Sequence, residues 1–516
     1  MKCTLIIEYG SLGATQGTLC PFAQHLKRLR QGNRKEESYL MKIDWDIVDQ
    51  ITENVAFFTD RYDRYTLYAE YRKAKQCVEF YPVDSEEFES CLRVWYRQLS
   101  AKRDAPPVNR IIEYIRDESN FHENLDSVEP YARIAGNLND GIEYFLADRL
   151  RHVVKISGGS WELSAEPQYK FLSTRTFEAQ VFPKQSNENL IDLLDPLVNI
   201  HGDDLMLFAI WLTQAFSCGT HYGVMLSAER GSGKSSLTRV ISKILDPSEV
   251  DTSIMQTKLE DFQNYLSNHY LACFDNVREI PTDYSDTLCA AITGSTVVKR
   301  QLYKDRDEVR LKLHNTVVIN GIGIFPKESD LAERFLFFEL KKIKPVEAKS
   351  DYELNQLLKR NRPLILGCIC DLLANATKLV KNLHPKKPTR MMDAYTEMLA
   401  VAMAMGISES EFHRLISRNI ERLNASCGGS PVVQAVSEYM NGPKAGKRKV
   451  VESSTDFYLH VKENYSGMKA DLFSRSAEFS KQLKSECATL MKAGFSCLVD
   501  DTGASGSTIT IIRNKN

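Results

Sequence analysis

Residues 223–245 read Gly-Val-Met-Leu-Ser-Ala-Glu-Arg-Gly-Ser-Gly-Lys-Ser-Ser-Leu-Thr-Arg-Val-Ile-Ser-Lys-Ile-Leu. An apolar strand, Val224 to Leu226, leads into a short Gly-rich loop, and an amphipathic helix follows. That order suits phosphate. Backbone N–H groups of a glycine loop can turn inward around a β-phosphate, and the helix N-terminus adds its positive end. Lys234 would reach the β- and γ-phosphates of ATP, and Ser235 would hold Mg²⁺. The cradle so read is Ala228, Glu229, Arg230, Gly231, Ser232, Gly233, Lys234, Ser235 and Ser236. The usual spacing is G-x-x-x-x-G-K-[ST]; Ala228 stands where the first glycine would be, and a small residue fits there. The competing reading, a Gly-rich turn between strand and helix, leaves Lys234 without a purpose.

The segment Asn268 to Asn276 spells a buried strand ending in Asp275, 275 − 234 = 41 residues after the lysine. A carboxylate at the carboxyl end of a neighbouring parallel strand is where Mg²⁺ finds its second anchor. The alternative is a plain acidic strand terminus. Another apolar strand, Thr316 to Ile319, ends at Asn320, whose amide would face the γ-phosphate. Between them, residues 295–303 and 309–313 flank a polar tip, Lys304-Asp-Arg-Asp-Glu308, and make a hairpin. Lys304 and Arg306, with Lys299 and Arg300 before them, are candidates for sequence-tolerant contact with nucleic-acid phosphates. An ordinary surface turn is the competing reading. Asp330-Leu-Ala-Glu-Arg-Phe335 then precedes the strand 336–340 and places Arg334. One position departs from the expected chemistry. Asn276 stands where a second acid would orient the attacking water, and an amide can position water but cannot accept its proton. Glu229 and Glu279 are candidate substitutes.

Three or four domains are expected from 516 residues. Hydrophobic content of 43% with 26% charged residues is that of a globular protein. A net charge of −2 excludes a global basic field, so any nucleic-acid surface must be local. Twelve cysteines include no C-x-x-C pair, and Cys368-Ile-Cys370 is too tight for a zinc site alone, which points to reduced thiols. The apolar run at Met1 is too short for a signal peptide. No run reaches 18 apolar residues, so neither a membrane span nor membrane association is expected and the location is expected to be cytoplasmic.

The elements that must position these residues follow in order. Residues 1–105 are a region of uncertain fold. In it, Asp44-Trp-Asp46 could be a metal-binding pair on a strand, but two solvated acids are the reading taken; no full primase palm is visible. Glu87 to Leu99 forms an amphipathic helix with Phe88, Leu92, Trp95 and Leu99 on one face. Residues 106–185 begin with a helix from Asn109 and become a small β-rich module. Its hairpin signals are Asn139-Asp-Gly141 and Gly158-Gly159. Pro183 to Glu188 reads as a hinge into the unit 186–350, which opens with apolar helices at Leu190–Leu197 and Leu205–Phe216. Residues 351–426 are helical, with Glu353 to Lys359 and Pro363 to Val380 read as separate helices. Met391, Met392, Met398, Met403 and Met405 there are core filler. Residues 430–516 hold three helices and a hairpin, which spells a winged helix. Arg475, Lys481 and Lys484 lie on its third helix region, Ser476 to Ala493, where basic residues suit DNA contact; a protein-docking winged helix is the alternative.

The phosphate loop, the Phe-Asp-Asn strand, the hairpin, the strand ending in Asn320 and Leu-Ala-Glu-Arg-Phe335 resemble, in that order, AAA+ ATPases. Asp286 through Gly294, Lys299 to Tyr303 and Asn320-Gly-Ile322 narrow the resemblance to the ATP-binding replication proteins of bacterial mobile elements, akin to superfamily 3 helicases and poxvirus-type helicase–primases. The resemblance implies an α/β fold with an AAA+ P-loop core, a β-containing N-terminal module, a helical lid and a C-terminal winged helix. It also implies ATP and Mg²⁺ as cofactors, a ring that is usually a hexamer, and single-stranded or forked DNA as partner, with a separate primase or initiator beside it. Asn320 then matches sensor 1. Arg334 matches the arginine finger that enters a neighbour's site; a salt bridge to Glu333 or Glu339 is its competing reading. The expected function is an ATP-driven helicase in replication of a mobile element. The alternative is an ATP-dependent assembly switch, in defence or signalling, that recruits a partner without unwinding. A nucleotide-independent DNA-binding protein is the weaker third reading.

Overall fold

The structure, a computed structural model, describes residues 43–514 apart from 64–65, 75–76, 101–105, 122–124, 174–175, 229–230, 301–307, 323–325, 327–328, 387–389, 428–430, 443–448, 465–474 and 501–506. The first unit has helix α1 (Trp45–Thr52), strands β1 (Val55–Asp60), β2 (Leu67–Ala74) and β3 (Cys77–Pro82), and helices α2 (Glu86–Ser100) and α3 (Val108–Phe121). Its sheet runs β3-β2-β1, closed by a two-residue strand β4 (Ser127–Val128) parallel to β1. Phe88, Leu92 and Trp95 of α2 are buried against Tyr71 and Ile111, as their helical spacing predicted. The Asp44-Trp-Asp46 pair sits at the start of α1, not on a strand, and both acids are exposed.

An antiparallel meander follows: β5 (Ile134–Asn137), β6 (Gly141–Phe145), β7 (Val153–Ser157) and β8 (Ser160–Ser164). Its apolar side joins the largest core cluster, which continues without a break into the central sheet and the helices up to Leu423. A buried ion pair makes the joint. Arg133 Nε donates to Asp246 Oδ1 at 2.9 Å, with side chains 0% and 4% exposed. The same guanidinium donates to the Pro247 carbonyl at 2.7 Å and lies over the Phe177 ring. Removing one partner of such a pair strands a buried charge. Arg133→Met should therefore lower stability by about 3–5 kcal/mol, read as a shift in the urea midpoint.

Helices α4 (Leu190–Leu194) and α5 (Asp203–Gln214) lead to β9 (Gly223–Ser227), then α6 (Lys234–Leu245), α7 (Leu259–Ser267), β10 (Leu271–Val277), α8 (Thr282–Thr293), the hairpin β11 (Ser295–Arg300) and β12 (Glu308–Leu313), β13 (Thr316–Gly321), the short α9 (Ser329–Ala332) and β14 (Phe335–Glu339). The central sheet has the order β10-β13-β9-β14 and is parallel throughout. Parallel strands covered on both faces read as continuous apolar runs, and all five residues of β9 are buried. The hairpin is a separate antiparallel pair with Ser295 opposite Leu313 and Arg300 opposite Glu308.

Helix α10 (Asp351–Leu379) is continuous through Pro363, where the sequence suggested a break. Pro363 lacks an N–H, but its carbonyl accepts from the Lys184 N–H at 2.8 Å. Burial of Leu358, Ile365, Leu366, Ile369 and Leu373 outweighs the ~3 kcal/mol a helix-interior proline costs. The segment expected to act as a hinge is thus fastened to this helix at Lys184. Residues Asp351–Asn382 are long and apolar enough to cross a membrane, but 61% of the apolar window is buried inside the fold, the mark of a core helix. Helices α11 (Met392–Ala404) and α12 (Glu409–Cys427) complete the cluster. Met391 and Met398 are buried in it, while Met403 is exposed. Buried Asn419 of α12 accepts from the Phe337 N–H at 2.8 Å and donates to its carbonyl at 2.7 Å, closing the edge of β14.

The last unit holds α13 (Pro431–Asn441), β15 (Lys449–Ser453), α14 (Ser454–Asn464), α15 (Ser476–Ser485), α16 (Cys487–Lys492), β16 (Phe495–Asp500) and β17 (Thr508–Arg513). Its sheet, β15-β17-β16, is antiparallel and covers a core of Val432, Val436, Phe457, Phe479, Leu483 and Ile511. The third helix expected over 476–493 is two, interrupted at Glu486.

Candidate nucleotide site

The loop after β9 leaves the carboxyl end of the parallel sheet and enters α6. Gly231 and Gly233 hold left-handed φ values of 79° and 78°, which glycine adopts without a Cβ penalty. Ala228 needs no glycine: Ala147, Arg151 and Asn276 are the non-glycine residues with positive φ among the described residues. The loop is braced from outside. Asn199 Nδ2 donates to the Ser232 carbonyl at 3.0 Å and the Lys341 carbonyl at 2.6 Å, and the Ile343 N–H reaches the Gly231 carbonyl at 3.2 Å.

A cavity of about 410 Å³ opens above the loop, lined by residues 231–236 with Asp275, Asn276, Asn320 and Ile322. Segments distant in sequence meet here because the sheet is parallel: the carboxyl ends of β9, β10 and β13 lie side by side. Lys234 Nζ donates to the Ala228 carbonyl at 2.7 Å. Burial lowers its proton affinity, and nearby Asp275 raises it again. Ser235 Oγ donates to Asp275 Oδ1 at 3.3 Å. This oxygen pair fits Mg²⁺, whose adjacent octahedral ligands at ~2.1 Å from the metal stand ~3.0 Å apart. Magnesium commonly takes only one or two carboxylates and completes its shell with phosphate and water. No group of three or more His, Cys, Asp or Glu able to hold a metal occurs among the described residues, which is compatible with that arrangement.

Asn320 is fully buried. Its Oδ1 accepts from the Asn276 N–H at 3.1 Å, and its Nδ2 donates to Thr238 Oγ1 at 2.9 Å. Thr238 was not anticipated; four residues after Lys234 it reads as ordinary helix interior, and no local signal marks it. Asn276 has φ 57° at a point where β10 shifts register against β13, between Phe274 and Val277. Asn tolerates the left-handed region better than Glu. The amide at this position thus has a backbone reason as well as a chemical consequence.

Arg334 lies at the other end of the sheet. Its carbonyl accepts from the Gly223 N–H at the start of β9, whereas the glycine-rich loop follows Ser227. Four steps of ~3.3 Å separate these ends by ~13 Å. The guanidinium pairs with Asp330 at 2.5 Å, where the sequence had suggested Glu333 or Glu339. Arg334 holds the Asp330 carboxyl below its usual range. Arg390 also pairs with Asp330, and with Glu333 at 3.1 Å.

Glu229, Arg230, Lys304 and Arg306 lie outside the described residues. Lys299 and Arg300 end β11, in register with Val309 and Glu308, and their side chains are outside the description. Glu279 is exposed beyond β10 and does not line the cavity. Arg475 precedes α15 as its N-cap, and Lys481 and Lys484 are exposed on that helix.

Residues 191–414 match a family model described as the actinomycete integrative conjugative element replication protein. The resemblance to replication proteins of bacterial mobile elements holds over that stretch. No curated protein matches the chain. Among solved structures, the chain is similar to the NrS-1 C-terminal region in its apo A form, with 15% identity, 91% of this chain and 99% of that chain covered, and a TM-score of 0.40. It is also similar to the SCCmec type IV Cch active helicase, with 12% identity, 89% and 92% covered, and a TM-score of 0.45.

Proposed function

From the match of residues 191–414 to replication proteins of integrative conjugative elements, we propose that this chain is an ATP-driven DNA translocase and helicase that works as a ring in the replication of a mobile element. The observation that carries the proposal is the meeting of Lys234, Ser235, Asp275, Asn276 and Asn320 around one cavity at the carboxyl ends of parallel strands. In this reading residues 186–350 are an AAA+ core, 351–426 its helical lid, 106–185 a β-rich module and 430–516 a winged helix. The strand order supports the core assignment: β9, which feeds the phosphate loop, has the Asn320 strand beside it and the Asp275 strand beyond. Four short helices packed on a three-stranded antiparallel sheet, with the expected third helix split in two, support the winged helix.

Each residue then has a task. The loop N–H groups and Lys234 bind the β- and γ-phosphates and neutralise charge developing there. Ser235 and Asp275 would hold Mg²⁺, which when bound neutralises and orients the phosphate oxygens. Arg334, too far from its own cavity, serves the site of the next subunit. The β11–β12 hairpin carries Lys304 and Arg306 at its tip and follows the DNA track through the pore. Arg475, Lys481 and Lys484 contribute origin or partner recognition. The second reading, an assembly switch without unwinding, is favoured by one observation: Asn276 supplies no general base.

Strand displacement on forked DNA separates the two. Wild-type protein with ATP should unwind the fork. Changing Lys304 and Arg306 together to Ala should leave basal ATP turnover and oligomer size near wild type, weaken single-strand binding, lower the salt slope of binding by up to about two, and stop unwinding. Wild-type unwinding by that double variant would remove the hairpin from the track and favour the switch.

A further inference from the structure

A file of four polar groups crosses the buried side of the nucleotide cavity. The Thr238 hydroxyl donates to the Lys234 carbonyl at 3.0 Å in the first turn of α6. Its oxygen accepts from Asn320 Nδ2 at 2.9 Å, and Asn320 Oδ1 accepts from the Asn276 N–H at 3.1 Å. Thr238 and Asn320 are each 0% exposed. The order of donors is forced. The threonine proton is spent on the Lys234 carbonyl, so its oxygen can only accept from Asn320, and Nδ2 must face it. Oδ1 then faces the bulge, where the Asn276 N–H is the donor. The Asn320 amide is thereby engaged at both ends, while the Asn276 side chain is exposed in the cavity.

We infer that Thr238 is a positioning residue for hydrolysis: through Asn320 it holds the backbone of residue 276 in its left-handed turn, so that the Asn276 carboxamide is the group that orients the attacking water. The inference rests on the ATPase reading above. The water oxygen bonds to the γ-phosphorus as the bond from that phosphorus to the bridging oxygen breaks. ADP leaves with the electron pair, and the proton of the water leaves on the released phosphate. Asn276 takes no proton; it accepts one hydrogen bond from the water and fixes its approach. The register shift and the positive φ explain why an amide occupies this place. Glutamate in the same backbone would be strained, and a residue in plain extended conformation would send its side chain along another direction. A strained residue beside a reaction centre persists where its neighbours hold it, and the Thr238–Asn320 pair is that hold.

The test uses the full-length chain and four variants. Thr238→Val keeps the volume and removes both hydrogen bonds. It should lower kcat at least about tenfold while the Kd for a non-hydrolysable ATP analogue stays within about twofold. Thr238→Ser restores the hydroxyl and should return kcat to within about twofold of wild type. Asn276→Gly adopts the same φ without strain, so analogue affinity and melting temperature should hold while kcat falls about as far as in Thr238→Val. In the Asn276→Gly background, Thr238→Val should then cost less than about a further threefold, because the two act on one group. A structural role alone would give a loss that is undiminished in that background. That result, wild-type turnover in Thr238→Val, or wild-type turnover in Asn276→Gly would each overturn the inference. Wild-type protein that hydrolyses no ATP sinks the ATPase reading itself, whereas a hydrolysing wild type with an indifferent Thr238→Val variant sinks only this step.

Discussion

Lys234→Ala protein is expected to fold normally and to lose ATP turnover by at least about 10²–10³-fold, the effect of removing one preorganised donor from a developing negative charge. Lys234 is the first residue of α6, and its ammonium is held over the loop by the Ala228 carbonyl. Among the described residues that line the cavity Lys234 is the cation; the others offer backbone, hydroxyl, amide and carboxylate groups and Ile322. Alanine is a good helix former, and the site is half-buried, so the stability change should stay within about 1 kcal/mol. The cleanest check pairs turnover with a melting curve. Wild type at an analogue concentration 100 times its Kd should gain about 2.7 kcal/mol of stability, and the variant at that concentration should gain far less. Turnover at the wild-type rate in a folded Lys234→Ala chain would take the phosphate loop out of the mechanism.

Arg334→Ala should behave in the opposite way toward ligand. Its guanidinium sits beyond the amino end of β9, away from the cavity of its own chain. Analogue affinity should therefore hold, while turnover drops by about 10³–10⁵-fold, the range of arginine fingers elsewhere. The variant should also fold. Arg390 remains to neutralise Asp330, which is nearly half exposed, so no buried charge is stranded. Mixing it with Lys234→Ala protein gives the decisive number. A working site then needs an intact Lys234 from one subunit and an intact Arg334 from the next. In a randomly mixed ring about one site in four meets that condition, so activity should rise well above the sum of the separate variants. Activity equal to that sum at every mixing ratio would show that Arg334 does not act across a subunit boundary.

Resting ion pairs shape how this experiment reads. Asp330 holds Arg334, so a finger that serves a neighbour must be drawn from that pair when subunits meet. A pair at least partly exposed contributes little to stability, which makes such an exchange energetically small.

Several parts of this protein were legible in the chain alone. The glycine-rich turn between strand and helix was, because Gly231 and Gly233 take left-handed φ values without a Cβ penalty just ahead of Lys234 and Ser235. The buried strands that carry Asp275 and Asn320 near their carboxyl ends were, because a parallel strand covered on both faces reads as a nearly continuous apolar run. Helix α2 was, because Phe88, Leu92 and Trp95 repeat at the helical period. Tertiary structure decided the rest. It carried α10 through Pro363, since the burial of one long apolar face exceeds the local penalty of the ring. It put Asp44 and Asp46 at a helix start, set Arg334 at the far end of the sheet from the loop, and turned Asn276 left-handed at a register shift. It also tied Asn276 to Asn320 across 44 residues and Asn320 to Thr238 across 82. Residue type and spacing report short-range conformation and periodic burial; a hydrogen bond between groups so far apart in the chain exists only once the strands have taken their order, and no local pattern encodes it.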